Sequence, residues 1–262
     1  MDHTYWKQQT ASKLLYPDME WSRPERRDQA GRLGIIGGNK LGFAGVAASY
    51  TTALETGVGE ARVLLPDALR GTIPKTITDT VYGASTPSGS LGADALADML
   101  ALGAWAGGIL LAGDAGRNSE TAIVYEKFIQ NYQGPLTLTR DAIDLIKNSA
   151  HTLVDRPDTA LIASFAQVQK LLQAVYYPKM MTFSMQLMQL VETLHKFTTT
   201  YPVTIVTFHR ERLIVAHDGQ VVTHTFDDPM LIWRGVTAAK ASSYLLWSPS
   251  KPLEAIAASF VH

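Results

Sequence analysis

RLGIIGGNKLGFAGVAASYTTALETGVGEARVLLP, residues 32–66, decides the fold. RLGIIG is an apolar run of strand length that ends on Gly37 and Gly38. FAGVAASYTTALETG then reads as a helix of small residues, with Gly57 as its stop. ARVLLP is a second apolar strand, closed by Pro66. Strand, helix and strand in this order predict a parallel pair joined by a right-handed crossover.

The same alternation continues outward. TDTVYG reads as a short strand, SLGADALADMLALGA as a helix, and GGILLAG as a strand apolar on both faces. NSETAIVYEKFIQNY is an amphipathic helix capped by Asn118 or Ser119, with Glu120 in its first turn. PLTLT is a strand and RDAIDLIKNS a short helix. Strands apolar on both faces predict a mostly parallel sheet covered on both sides. In such sheets ligands bind beyond the carboxyl ends of the strands. The second half reads differently. ALIASFAQVQKLLQAVYY and MMTFSMQLMQLVETLHKF read as two long helices around Pro178. VTIVTF, RLIVA and QVVTHTF read as strands, the last two joined by a hairpin at 217–220. GVTAAKASSYLLW and PLEAIAASFVH read as closing helices. Residues 1–31 are polar and proline-punctuated, and they read as a short helix and an irregular arm before a single domain over 32–262. The arm's Tyr5, Trp6, Tyr16 and Trp21 are expected to pack on the body or on another subunit.

The bulk numbers fit this organisation. Hydrophobic residues make up 46 % of the 262 and charged residues 18 %, enough for a sizeable core. The formal net charge of −1 provides no basic field for nucleic acid or an anionic membrane. The absence of cysteine excludes disulfides, thiolate metal sites and cysteine nucleophiles. No stretch approaches the roughly 18 uninterrupted apolar residues of a membrane span, and the first twenty residues carry no apolar run of signal-peptide length. The expectation is a soluble cytoplasmic protein without a nucleic-acid or membrane partner.

Several segments in order carry a resemblance. They are IIGGNKLGFAGVAA, ARVLLPDAL, ILLAGDAGRNSET, GPLTLTRDAIDLI, VDRPDTALI, RLIVAHDGQVV and KPLEAIAASFVH. From about residue 32 to the end, the chain resembles the ribokinase-like family that contains the ADP- or ATP-dependent NAD(P)H-hydrate dehydratases. The resemblance implies a three-layer α/β/α sandwich with a mostly parallel central sheet. It also implies ADP or ATP with Mg2+, a nucleotide or nicotinamide dinucleotide as partner, and a homo-oligomer. The family carries Gly-Thr/Ser-Gly-Asp at the start of its penultimate helix, where amides hold the transferring phosphate and the aspartate is the base. Counted back from Pro252-Leu253-Glu254, this chain has Trp233-Arg234-Gly235-Val236 there. Valine cannot accept a proton, no acid lies between Arg234 and Lys251, and Asp227 and Asp228 lie upstream. Other motifs are altered too. The family's Gly-Pro-Gly-Leu-Gly reads Ala112-Gly113-Asp114-Ala115-Gly116, followed by the shared Arg117. Its Asp-Ala-Asp-Ala-Leu-Asn reads Thr139-Arg140-Asp141-Ala142-Ile143-Asp144. Its Thr-Pro-His-Pro-Gly-Glu reads Val154 to Thr159, and its Leu-Lys-Gly lysine falls on Phe208. The resemblance thus implies a member whose activity is weak, altered or lost, with a non-catalytic binder or structural oligomer as the alternative.

Each candidate residue has a plainer reading. Gly37, Gly38 and Asn39 can present amides to an anion at a helix start, or they can be a tight strand-to-helix turn. Asp114 and Arg117 can line a cleft, or they can cap a helix. Asp141 and Asp144, one helical turn apart, can hold Mg2+ through water, or they can favour a helix N-terminus. Arg234 and Gly235 can hold a phosphate, or they can simply open a helix. His209, His217 and His224 lack metal-ligand spacing, so no metal site is expected. Met180, Met181, Met185 and Met188 with Phe183 and Leu187 read as a helical apolar stripe, belonging to the core or a subunit interface.

Overall fold

The computed structural model describes residues 4–10, 12–225, 228 and 230–261. Ten strands form one sheet: β1 (Trp6–Gln9), β2 (Arg32–Gly37), β3 (Glu60–Pro66), β4 (Thr80–Gly83), β5 (Gly108–Gly113), β6 (Leu136–Thr139), β7 (Thr159–Ser164), β8 (Thr204–His209), β9 (Arg212–His217) and β10 (Gln220–Thr225). Their order across the sheet is β1-β10-β9-β8-β7-β6-β5-β2-β3-β4. From β4 to β8 every pairing is parallel, and β9 is antiparallel to both of its neighbours. Asp218 and Gly219 turn the β9–β10 hairpin with φ of 44° and 67°, the left-handed pair that suits a tight hairpin.

The helices are α1 (Ala44–Thr56), α2 (Leu96–Trp105), α3 (Ser119–Asn131), α4 (Asp141–Leu145), α5 (Ala150–Val154), α6 (Phe165–Ala174), α7 (Leu187–Thr200), α8 (Met230–Trp233), α9 (Val236–Trp247) and α10 (Pro252–Ser259). Strand alternation splits the core between the two faces of the sheet. Ile36, Ile109, Leu111 and Leu161 face a layer containing Met99, Phe128, Phe165 and Leu194 from α2, α3, α6 and α7. Leu33, Ile35, Leu110 and Ile162 face Val46, Tyr50, Ala238 and Ile256 from α1, α9 and α10. The result is the expected three-layer α/β/α sandwich. No helix among the described residues is long and apolar enough to cross a membrane.

Three local expectations are corrected. ALIAS in 160–164 is strand, and only Phe165–Ala174 continues as helix. Ser164 is both the last strand residue and the cap of α6, its hydroxyl accepting from Gln167 N at 3.2 Å, so no turn residue marks the change. The methionine stripe does not exist as one helix face, because α7 starts only at Leu187. Met181 and Met185 are buried from the preceding segment, whereas Met180, Phe183 and Met188 are exposed. The segment read as a short helix and irregular arm contains the edge strand β1, parallel to β10, followed by two 3-10 turns. Tyr5, Trp6 and Tyr16 pack on the body and Trp21 projects into solvent, 88 % exposed.

Gln9 fastens this edge strand. It is buried, donating from Nε2 to Ala257 O at 2.8 Å and accepting Leu15 N at 3.2 Å. Gln9→Ala strands two backbone groups that have lost their partners. Its expected cost is about 2 kcal/mol, a drop of roughly 4–8 °C in Tm for a domain of this size, read by calorimetry against wild type.

Candidate functional site

The chain runs β2, β3, β4 toward one sheet edge and then returns to β5 on the other side of β2. The strand order therefore reverses between β2 and β5, and an open α/β sheet forms its crevice at such a reversal. A cleft of about 490 Å³ lies there, with Asn39, Ser88, Asp114, Arg117 and Asp141 among its lining residues. Of the sequence candidates, the structure brings together Asn39, Asp114, Arg117 and Asp141 in this cleft. Gly37 and Gly38 form the buried end of β2 behind it.

The glycine turn spends most of its amides internally. Gly38 N donates to Gly113 O at 2.9 Å, Lys40 N to Gly89 O at 2.9 Å, and Asn39 and Gly42 exchange backbone bonds at 3.0 Å. Asn39 Oδ1 accepts Leu41 N at 2.7 Å, and its Nδ2 donates to Asp114 O. At the head of α1, Gly45 N donates to Asp114 Oδ2 at 2.6 Å. The place where an anion would meet this helix is held by the chain's own carboxylate.

Asp114 is in turn paired with Arg140, whose Nη2 lies 2.5 Å from Asp114 Oδ1. Arg140 had no role in the sequence reading. Asp114 follows β5 and Arg140 follows β6, and both have left-handed φ, 54° and 58°. Such strain in non-glycine residues gathers at functional sites. Gln167 steadies the second of them, donating from Nε2 to Arg140 O at 2.7 Å and to Asp144 Oδ2 at 2.8 Å. Arg140 Nη1 is buried with no hydrogen-bond partner among the described residues. It lies against Gly45, where an added Cβ would come within 1.6 Å of it.

Asp141 accepts Gly116 N at 3.1 Å. Burial, reinforced by the charge of Asp114, holds its carboxyl above the usual range, although the Gly116 amide and Arg140 pull the other way. Beneath it, Tyr125 is fully buried and its hydroxyl has no partner among the described residues. Burial pushes this phenol far up, and the charges of Asp141 and Asp114 push it further. Asp144 does not share the cleft. It turns to Gln167 and lies 3.7 Å from Lys170 Nζ, so the two carboxylates expected on one side of the helix are separated.

Arg234 and Gly235 lie elsewhere, at the head of α9. Arg234 is exposed and Gly235 is left-handed with φ 86°. Ser49 Oγ donates to Gly45 O at 2.7 Å and lies 3.3 Å from Gly235 O, joining the starts of α1 and α9. No side chain caps α9, and Thr237 Oγ1 in its first turn is buried without a partner among the described residues. Val236 lines a different cavity, with Arg23, Glu55, Lys240 and Tyr244. Trp233 is half-exposed, Phe208 packs on the core of that sheet face, and neither lines the cleft. Asp228 caps α8 through Met230 N at 3.0 Å, and Asp227 lies outside the described residues. Among the described residues no group of three His, Asp or Glu is arranged to hold a metal.

No protein-family model matches the chain, and no curated protein sequence does. Solved structures do. A ribokinase-like superfamily protein from Enterococcus faecalis is 15 % identical, with 99 % of this chain and 87 % of that one covered at a TM-score of 0.73. An ADP/ATP-dependent NAD(P)H-hydrate dehydratase from Bacillus subtilis, co-crystallized with ATP/Mg2+, is 12 % identical over 92 % of this chain and 84 % of that one, TM-score 0.59. A hydroxyethylthiazole kinase protein from Pyrococcus horikoshii is 12 % identical over 92 % and 79 %, TM-score 0.56. The fold is ribokinase-like.

Two substitutions probe this geometry. Gly45→Ala drives a methyl into Arg140 and is expected to cost about 1–3 kcal/mol, seen as a lower urea midpoint. Asp141→Asn keeps an acceptor for Gly116 and removes a charge that folding disfavours. A carboxyl raised on folding weakens the protein above that raised pKa and has no effect below the ordinary Asp value. The Asn variant is therefore expected to melt above wild type at pH 7. The difference should shrink as pH falls through the carboxylate range and vanish below it.

Proposed function

We propose that this chain is a ligand-binding relative of the ADP/ATP-dependent NAD(P)H-hydrate dehydratases in which phosphoryl transfer is weak or lost. Its ligand is a nucleotide or nicotinamide dinucleotide, with ADP or ATP accompanied by Mg2+. One observation carries the reading: among the described residues no side chain caps the head of α9, and its first residue is Val236 rather than an acid. Gly235 precedes the helix, Thr237 Oγ1 has no partner among the described residues, and Val236 stands where the family resemblance places the base. A backbone-amide helix start binds phosphate without catalysing its transfer. A general base typically contributes about 10²–10⁴-fold, so its loss leaves binding intact and turnover low. In this reading Asn39, Asp114, Arg117 and Asp141 contact the small-molecule end of the ligand in the cleft between β2 and β5, while Arg234 and Gly235 meet its phosphates. Residues 1–31 act as an arm completing the 32–262 domain.

A rebuilt active enzyme is the second reading, favoured by Asp141. It is an acid lining the cleft whose pKa burial raises, the kind of perturbed group that gathers at catalytic sites.

Purified protein is to be incubated with hydrated NADH, Mg2+ and either ADP or ATP, and screened by thermal shift against AMP, ADP, ATP, NAD and NADP. The expected outcome is a concentration-dependent rise in Tm with at least one nucleotide and turnover near the blank. Turnover well above the blank, abolished by Asp141→Asn, establishes the rebuilt enzyme instead. No shift with any of the five removes the binding reading.

A further inference from the structure

A separate cavity of about 230 Å³ lies at the opposite, N-terminal edge of the parallel strands. Pro135, Pro157 and Pro202 sit one or two residues before β6, β7 and β8, and Pro249 in the α9–α10 loop and Pro252 at the start of α10 frame its other side. Five proline rings give fixed walls, so little conformational entropy is lost when a guest enters. A cavity of roughly 150 Å³ accommodates benzene, so this one suits a one-ring molecule with a short substituent.

Its polar side chains are few: Asp158, His217 and the hydroxyls of Thr159, Thr204 and Ser250. His217, at the end of β9, is anchored through Nδ1 to Thr204 Oγ1 at 2.9 Å, leaving Nε2 for a guest. Burial lowers its pKa, so the ring is neutral at pH 7. Three carboxylates from three elements act on this ring: Asp158 before β7, Asp218 in the β9–β10 turn and Glu254 on α10. Of the nearby cations, Arg156 stands at the wall, its Nη1 donating to Pro157 O at 3.2 Å and Thr159 Oγ1 at 2.8 Å, and Lys251 is exposed on the α9–α10 loop. Three carboxylates against Arg156 and the exposed Lys251 leave the surroundings of this apolar box net negative.

We propose that this cavity is a second ligand site, taking a small organic cation: a primary ammonium carried on a compact apolar body. The body fills the proline box. The ammonium donates to His217 Nε2, selecting the Nδ1–H tautomer in which Nδ1 donates to Thr204. The field of Asp158, Asp218 and Glu254 favours the cation over a neutral isostere and repels an anion. Nothing in this argument draws on the cleft between β2 and β5, so neither reading depends on the other.

The probe is benzylamine, with benzyl alcohol and benzoate as neutral and anionic isosteres, titrated into the full chain by heteronuclear NMR. Benzylamine is expected to move the amides around Ala160, Thr204 and Leu245, with benzyl alcohol at least tenfold weaker and benzoate silent. His217→Phe, which keeps a ring and removes the acceptor, should weaken benzylamine about tenfold and leave benzyl alcohol unchanged. Glu254→Gln should weaken benzylamine severalfold, and it decides alone if the His217 variant fails to fold. Equal affinity for amine and alcohol, shifts scattered away from the cavity, or full affinity in a folded variant would each overturn the proposal.

Discussion

The ion pair between Asp114 and Arg140 ties together the part of the molecule where strand order reverses. Asp114 hangs from the end of β5, Arg140 from the end of β6, and Gly45 opens the helix that follows β2. One carboxylate therefore joins three successive strand ends. Removing a carboxylate from water is costly unless it is paired and hydrogen-bonded, and Asp114 has both, a guanidinium on one oxygen and an amide on the other. Left-handed backbone at two non-glycine residues costs of order 1–3 kcal/mol each. Asn39 bonding the Asp114 carbonyl and Gln167 bonding the Arg140 carbonyl hold them in that state.

This arrangement sets the character of the cleft. With Asp114 neutralised by Arg140, the remaining lining charges are Asp141 and Arg117, one of each sign. Burial, with the charge of nearby Asp114, holds the Asp141 carboxyl above the ordinary Asp value, so it takes up a proton more readily than a free aspartate. The buried Tyr125 hydroxyl beneath the two acids has no protein partner among the described residues. Unsatisfied polar groups and a destabilised charge at one place mark a region where packing was not the only constraint.

Much of the frame was legible in residues 32–139 and in the β9–β10 hairpin, because strands apolar on both faces, capped helices and tight turns each carry a local signature. Asn118 accepting Glu120 N at 2.8 Å and the Asp218-Gly219 hairpin are such signatures. What escaped lacked one. β7 runs into α6 without a glycine or proline, and a short apolar run there fits either period. β1 is the polar WKQQ, and it becomes a strand only by pairing with residues more than two hundred positions away. Arg140 was invisible for a different reason. Its importance comes from a left-handed φ and from the space left by Gly45, and neither is written in the dipeptide that contains it.

Competition at the head of α1 is the last consequence. Asp114 is covalently attached to the scaffold and stands at its target, so its effective concentration there far exceeds that of a dilute free anion. Any phosphate seeking the Gly45 amide must displace a tethered carboxylate and leave one Asp114 oxygen without its amide donor. The glycine turn after β2 thus resembles a phosphate loop in composition while its chief helix-start amide is already committed. The head of α9 differs: among the described residues no side chain caps the helix and the Thr237 hydroxyl has no partner. Backbone glycines alone do not make an anion site. What decides is whether a neighbouring side chain has reached the amides first.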